Sequence, residues 1–482
     1  MTWQDMWQEA KKRLFLTRPV DDKPDDAKSM KRVLGPVDLT MLGVGAIIGT
    51  GIFVLAGVAI RDYAGPAIIL SFILTGIACA IVAMCYAELA SMIPKAGSAY
   101  SYTYSTMGEL VAWIIGWTLI MEYTFGAMAV SIGWSGYVTG LLESLGLNLP
   151  QAITACPFEG GVVNLPAMLI VSVITAILVV GVKESARFNT IIVFVKIAVL
   201  ILFIVIGIFL IRADNFDPFM PYGWAGVASG AGLVFFAYVG FDAISTMAEE
   251  TKNPQRNMPI GIIASLLICT VLYIVVAVVL IGLVSYDQID INEPLAAALR
   301  TRGLGWASAI IAVGALAGIT SVLLVNMLAQ PRVVFALARD GLLPKKFAEI
   351  HPKFKTPWIP TIFFGVLVAV GAGFMPINKA AELTNIGTLF AFVLVCFGVI
   401  ILRTKAKDKP RSFKVPLSPV LPILGAALCV FLIIFLPWTT KMIFIGWVGV
   451  GLIVYSFYGY KNSVLANRFG IKGGKPPEEG QK

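Results

Sequence analysis

The stretch Gly45-Ala-Ile-Ile-Gly-Thr-Gly-Ile-Phe53 decides how this chain is read. It lies inside an apolar run, 37–61, and about 20 such residues are enough to cross a bilayer. Yet it carries three glycines, each of which weakens a helix by about 1 kcal/mol relative to alanine. Small residues in membrane helices commonly let two helices approach closely. Here Gly43, Gly45, Gly49, Gly51 and Gly57 do not share one face, so the stretch predicts a local unwinding, with half-helices over 38–47 and 52–60. Open backbone at membrane depth is tolerated only where it lines protein or a water-filled cavity. The second half-helix would begin with free N–H groups and a positive dipole end, which favour a carboxylate. The first would end in free carbonyls, which suit an ammonium. The two groups side by side describe an α-amino acid.

The composition extends this reading to the whole chain. Of 482 residues, 58% are hydrophobic and 13% charged, more apolar surface than a soluble protein of this length could cover. The pattern predicts an all-α membrane protein with about twelve spans: 37–61, 66–93, 107–141, 165–182, 188–211, 225–249, 259–284, 304–338, 358–376, 382–402, 418–437 and 441–460. No room is left for a second domain. A formal charge of +9 can signal nucleic-acid binding, but its distribution points elsewhere. With the N-terminus in the cytoplasm, 30 of the 37 Lys and Arg fall in inner tails and loops. Outer loops hold Arg61, Arg212, Arg300, Arg302, Lys379 and Lys441. This bias predicts both termini cytoplasmic, in the cell membrane, and no nucleic-acid partner. In the tail 1–36, Trp3, Met6, Trp7, Ala10 and Leu14 share a helical face opposite Lys11, Lys12 and Arg13. An interfacial helix and a frayed tail are both open readings. The tail 461–482 is read as cytoplasmic.

Other function classes find little to stand on. Five of the six cysteines lie in apolar segments and Cys156 is alone in an outer loop, so no disulfide or metal spacing follows. His351, the one histidine, is in a loop. Neither a metal, a cofactor nor a Ser–His pair is expected within the membrane. An ion channel would need a repeated filter sequence, and an aspartyl enzyme a second aspartate facing Asp242; neither is found.

A second interruption strengthens the first. The sixth span carries Gly230-Ala-Gly-Leu-Val-Phe-Phe-Ala-Tyr-Val-Gly-Phe-Asp242, where Gly240 and the intramembrane Asp242 mark a helix that could open. Broken helices at matching positions of two inverted halves mark the substrate site of many secondary transporters. Lys196 is the one cation left once tails and loops are assigned; it lies inside a span, roughly 12 Å deep, and a functional role outweighs simple snorkelling because such charges are costly. Glu122 and Asp242 are the acids nearest mid-membrane; either could line a cavity or bond a neighbouring helix. Glu88, one turn from its span's inner end, reads as structural, paired with a loop cation. Thr320, Ser321 and Asn326 give the eighth span a polar stripe, for substrate or for helix contacts.

These motifs, with Tyr86-Ala-Glu-Leu-Ala, Ile93-Pro-Lys-Ala-Gly-Ser-Ala-Tyr100, Ala248-Glu-Glu-Thr-Lys-Asn-Pro-Gln-Arg-Asn-Met-Pro259 and Ala338-Arg-Asp-Gly-Leu-Leu-Pro344, resemble the amino acid–polyamine–organocation superfamily. More narrowly, they are similar to the cationic amino acid transporters and their bacterial homologues, over roughly residues 30–460. The resemblance implies a five-plus-five inverted repeat, 37–211 and 225–402, with discontinuous first and sixth helices and two further helices in 418–460. It implies alternating-access symport of an L-amino acid with a proton. The amides of Gly49, Thr50 and Gly51 would hold the substrate carboxylate. The carbonyls of Ile47, Phe236, Ala237 and Val239 would hold its amino group, with the Phe236 ring as gate. Lys196 would serve proton coupling, and Glu122, Asp242 and Asn326 would form the side-chain pocket. In relatives that prefer small neutral amino acids the position of Asn326 is typically Met, so Asn326 tilts the expectation toward Arg, Lys or ornithine. Transport of small neutral amino acids such as alanine, or exchange without net proton movement, stay as alternatives. A small single-helix partner is left open.

Overall fold

The computed structural model describes residues 14–18, 33–93, 98–181, 186–409 and 411–468. The N-terminal face read from Trp3 to Leu14 lies, apart from Leu14, outside the described residues, as does most of the tail 461–482. Among the described residues the chain is all-helical, with no β-strand. The longer helices in chain order are α1 (Pro36–Ile47), α2 (Ile68–Met92), α3 (Ser98–Thr106), α4 (Glu109–Ser144), α5 (Leu165–Val180), α6 (Ala186–Ile208), α7 (Gly223–Val234) and α8 (Pro254–Leu283). After them come α9 (Pro294–Thr301), α10 (Gly305–Arg339), α11 (Trp358–Phe374), α12 (Ile377–Lys405), α13 (Val420–Phe435), α14 (Trp438–Val454) and the short α15 (Val464–Arg468). Among the described residues, eight helical stretches are long and apolar enough to cross a membrane; α1, α5, α11 and α13 are apolar but shorter. Each apolar segment read from the sequence coincides with helix.

Many of these helices are apolar on every side, which is the signature of a membrane solvent rather than water. On α5, Ala167, Ile170, Val171, Ile174 and Leu178 are buried, while Leu169, Val173, Ile177 and Val180 are exposed. The one hydroxyl on this exposed face, Ser172, is spent within the helix on Met168 O at 2.8 Å, so lipid tails are the natural cover. Polar side chains instead pin helices to one another. Trp117 and Trp447 stack at 4.8 Å, and each indole N–H donates to the other's backbone carbonyl, at 2.9 and 3.0 Å. Trp113 Nε1 donates to Gly451 O at 2.9 Å, so α14 is fixed along α4.

The end of the bundle that carries α3 is closed by charge. Glu88, 1% exposed, accepts from Arg403 Nε at 2.9 Å and Nη2 at 2.6 Å, and from Val415 N at 2.7 Å. Arg411, from the loop after α12, lies 3.5 Å away. The loop cation expected for Glu88 is thus joined by Arg403 at the end of α12. Nearby, Asp340 accepts from Tyr100 Oη at 2.6 Å and Arg18 Nη2 at 3.0 Å. Glu109, fully buried, accepts from Tyr104 and Tyr455, both at 2.9 Å, and from Ser463. Segments from both ends of the described chain therefore dock on one seam between α3, α4 and α10.

Candidate functional site

Helix α1 stops at Ile47, where Ile48 turns to an extended conformation (ψ 104°). Helical structure resumes at Gly51 with a π-turn, Gly51–Leu55, and continues to Ala64. The amides of Ile52 and Phe53 both reach back to Gly49 O, at 3.2 Å. Thr50 already has helical backbone angles (φ −52°, ψ −28°), so the break lies at Ile48 and Gly49, inside the glycine stretch. A second break lies opposite. Helix α7 ends at Val234 and a 3₁₀ turn follows, Phe235–Tyr238. Val239 is extended, Gly240 takes φ 122°, and a second 3₁₀ segment runs over Phe241–Glu250. L-residues rarely adopt Gly240's backbone conformation.

Glycine also lets the two breaks touch. A Cβ at Gly240 would stand 2.8 Å from Ala46 O, and one at Gly51 would stand 2.8 Å from Ala237 N. The chain ahead of α1 is tied to the end of the second broken segment as well. Val33 N and Leu34 N donate to Glu250 O, and Lys252 N donates to Leu34 O. The local sequence accounts for this corner: Asn253 adopts a left-handed conformation (φ 45°) and Pro254 starts α8, a position where its missing N–H is not needed.

Backbone groups freed by the breaks find partners on other helices. Tyr273 Oη donates to Ile47 O at 2.9 Å and Tyr137 Oη to Phe53 O at 2.8 Å. Asn385 Nδ2 donates to Gly232 O at 2.8 Å and Leu233 O at 3.1 Å, at the end of α7. A carbonyl has two lone pairs, so Ile47 O keeps one for a further donor. Phe236 O accepts from Val239 N at 3.3 Å.

Between the breaks lies a cavity of about 40 Å³, room for about three waters. Of the residues singled out from sequence, it is lined by Ile47, Gly49, Thr50, Gly51, Glu122, Phe236, Val239, Asp242 and Asn326. Two are not among its lining. Ala237 packs against Gly51. Lys196, fully buried, donates from Nζ to Gly45 O at 2.8 Å, on the helix that leads into the first break. Gly318 on α10 leaves room for its alkyl stem, since a Cβ there would sit 3.0 Å from Lys196 Cγ.

The cavity's two ends differ. At the breaks, backbone predominates, and Thr50 Oγ1 is buried with no hydrogen-bond partner among the described residues. An unpaired buried hydroxyl is costly, so it awaits a polar ligand group or water. On the far wall, α4 supplies Glu122, Tyr123, Gly126 and Val130, α10 supplies Val322, Val325, Asn326 and Ala329, and α12 supplies Thr384. Glu122 and Asp242 are 3% exposed each, and among the described residues no Lys or Arg lines the cavity.

Sequence reading missed Tyr137, Tyr273 and Asn385. A polar side chain in the middle of an apolar run was their only signal, and it does not name the carbonyl each one serves. Gly126 and Thr384 carried no signal at all.

Similarity to known proteins bears on what this arrangement does. A family model described as amino acid permease matches residues 34–458. The chain is 48% identical over 456 residues to the methylthioribose transporter of Bacillus subtilis (strain 168), covering 94% of this chain and 99% of that protein. It is also 48% identical over 445 residues to the branched-chain amino acid permease BcaP of the same organism, covering 91% and 95%. The vacuolar cationic amino acid transporter 4 of Arabidopsis thaliana is 40% identical over 394 residues, 80% of this chain and 66% of the plant protein.

Proposed function

The chain belongs to the amino acid permease family, whose members are transporters rather than enzymes, and we propose that it is a proton-coupled L-amino acid symporter of the cell membrane that favours cationic substrates. The observation that carries this reading is the cavity between the two breaks. Its backbone end matches the α-carboxylate and α-amino group, and two carboxyls line it, Glu122 on the far wall and Asp242 just after the second break, with no Lys or Arg among the described residues that line it. A buried site with that charge balance is complemented by a positively charged side chain. In this reading Gly49, Thr50 and Gly51 face the carboxylate. Free lone pairs on Ile47, Phe236 and Val239 face the ammonium, with Ala237 holding the second break against Gly51. Phe236 is the gate, and Asn326 with the two acids receives the side chain.

Lys196 is the proton-coupling group. It is wholly removed from water, and its ammonium hydrogen-bonds a carbonyl of the helix that leads into the first break. Loss of its proton weakens that bond, and regaining it restores the bond, so the proton and the position of α1 are linked. The chain is read as twelve crossings in a five-plus-five inverted repeat, 37–211 and 225–402, with two helices after it and both termini cytoplasmic. Support comes from helix within every apolar segment and from the lysine and arginine distribution.

A second reading is transport of neutral branched-chain amino acids. Val130, Val322 and Val325 line the same wall, and the branched-chain permease relative is matched over 95% of its length. Uptake by purified protein in liposomes under an inward proton gradient tests both. Arginine accumulation that collapses with an uncoupler is the expected result. Leucine or alanine accumulation without arginine would replace the cationic reading with the neutral one, and no dependence on the gradient would remove proton coupling.

A further inference from the structure

The far wall of the cavity has a gap with a definite size. Glu122, Tyr123, Gly126 and Val130 of α4 all face the cavity, but Gly126 contributes no side chain. A Cβ built there would meet Asn326 Nδ2 at 3.5 Å, Thr384 Cγ2 at 3.6 Å and Thr384 Oγ1 at 3.8 Å. Those are ordinary contact distances, so a methyl group fits there and would take up space now open to a ligand. The groups around the gap are specified too. Thr384 Oγ1 donates to Ala380 O at 2.9 Å, within its own helix, which leaves its methyl as the branch free to pack on a ligand. Asn326 makes no hydrogen bond to the protein among the described residues, so its amide is free for a ligand.

We infer that Gly126, with Thr384 and Asn326 around it, sets the length of the side chain this transporter accepts. The inference rests on the amino acid cavity proposed above and deepens it. With the α-amino and α-carboxylate groups held at the two breaks, the substrate side chain runs toward α4, α10 and α12. The gap at Gly126 receives the end of a long side chain. The Asn326 amide bonds a polar tip, and the Thr384 methyl packs on the aliphatic stem. Glycine at 126 keeps this space open, and alanine would fill it. Short substrates such as alanine end before the gap and are indifferent to it.

Arginine and alanine uptake in liposomes, measured as kcat/KM for wild type, Gly126→Ala and Thr384→Ser, tests this. A hydrophobic pocket discriminates a single methylene by about 10–200-fold. Gly126→Ala is expected to lower the arginine-to-alanine ratio about tenfold, mainly through KM. Thr384→Ser deletes the methyl that narrows the gap and is expected to raise the ratio for the longest substrates. Unchanged ratios in both variants, in protein that still transports alanine, would overturn the inference. If Gly126→Ala fails to fold, the Thr384→Ser result decides alone. Wild-type protein that transports neither amino acid would overturn the reading of the cavity itself, a failure distinct from an unmoved ratio.

Discussion

At the scale of single residues, the site rests on glycines whose value lies in what they leave out. Gly51 and Gly240 let two interrupted helices meet backbone to backbone, with no space for a Cβ at either. Gly51→Ala is therefore expected to push the breaks apart, lowering stability by about 1–3 kcal/mol, as overpacking does. Thermal unfolding in detergent with and without substrate checks this; an unshifted melting temperature would mean the two breaks are not in tight contact. Lys196 is the residue on which coupling turns. Lys196→Ala should abolish uptake driven by a pH gradient while leaving exchange of internal for external amino acid, because the cavity is lined by other residues. Uptake by that variant with the wild-type response to pH would exclude a proton role for Lys196. These positions were legible because glycines clustered off one helical face and a charge deep in a span stand out from the apolar run around them, as a lone glycine such as Gly126 does not. Tyr137, Tyr273 and Asn385 were not, because each acts on a carbonyl more than 80 residues away in sequence. A hydrogen bond of that range leaves no mark on local pattern.

Elements were the most legible part of the chain. Lipid forces each apolar run to satisfy its own backbone, so hydropathy alone places helices within a few residues of where they lie. The first break, expected between 47 and 52, lies at Ile48 and Gly49. What pattern could not give was how elements are tied at their ends. Glu88 was read as paired with one loop cation, and the structure adds Arg403 from α12 and the Val415 amide. Removing the carboxylate leaves Arg403 and Arg411 facing each other without a counter-charge. Truncating one member of a buried ion pair costs about 3–5 kcal/mol, and Arg403, with its side chain 26% exposed, brings Glu88→Ala toward the lower end, about 3 kcal/mol. Melting of the purified variant measures it, and a loss under about 1 kcal/mol, the range of exposed pairs, would show the cluster to be solvated.

For the whole molecule, two asymmetries carry the account. One is the distribution of lysine and arginine, which predicts that the end bearing α3, Glu88 and Asp340 faces the cytoplasm, together with both tails. Single cysteines introduced at Ser412 and Asn215, each in a cysteine-free background, should label from opposite sides with a membrane-impermeant thiol reagent. Labelling of both from one side would contradict that topology. The other asymmetry is the cavity itself, backbone at one end and side chains at the other, which assigns the two ends of an amino acid to different parts of the fold. Substrate recognition rests on that assignment. Competition against labelled arginine by agmatine, which lacks the α-carboxylate, and by 5-guanidinopentanoate, which lacks the α-amino group, tests it most directly. Both keep the guanidinium, so the account predicts that each competes at least about a hundredfold more weakly than arginine, since each leaves polar groups at the breaks unpaired. Competition by either compound on a par with arginine would contradict it, because the backbone ends of the two broken helices would then not be what holds the substrate.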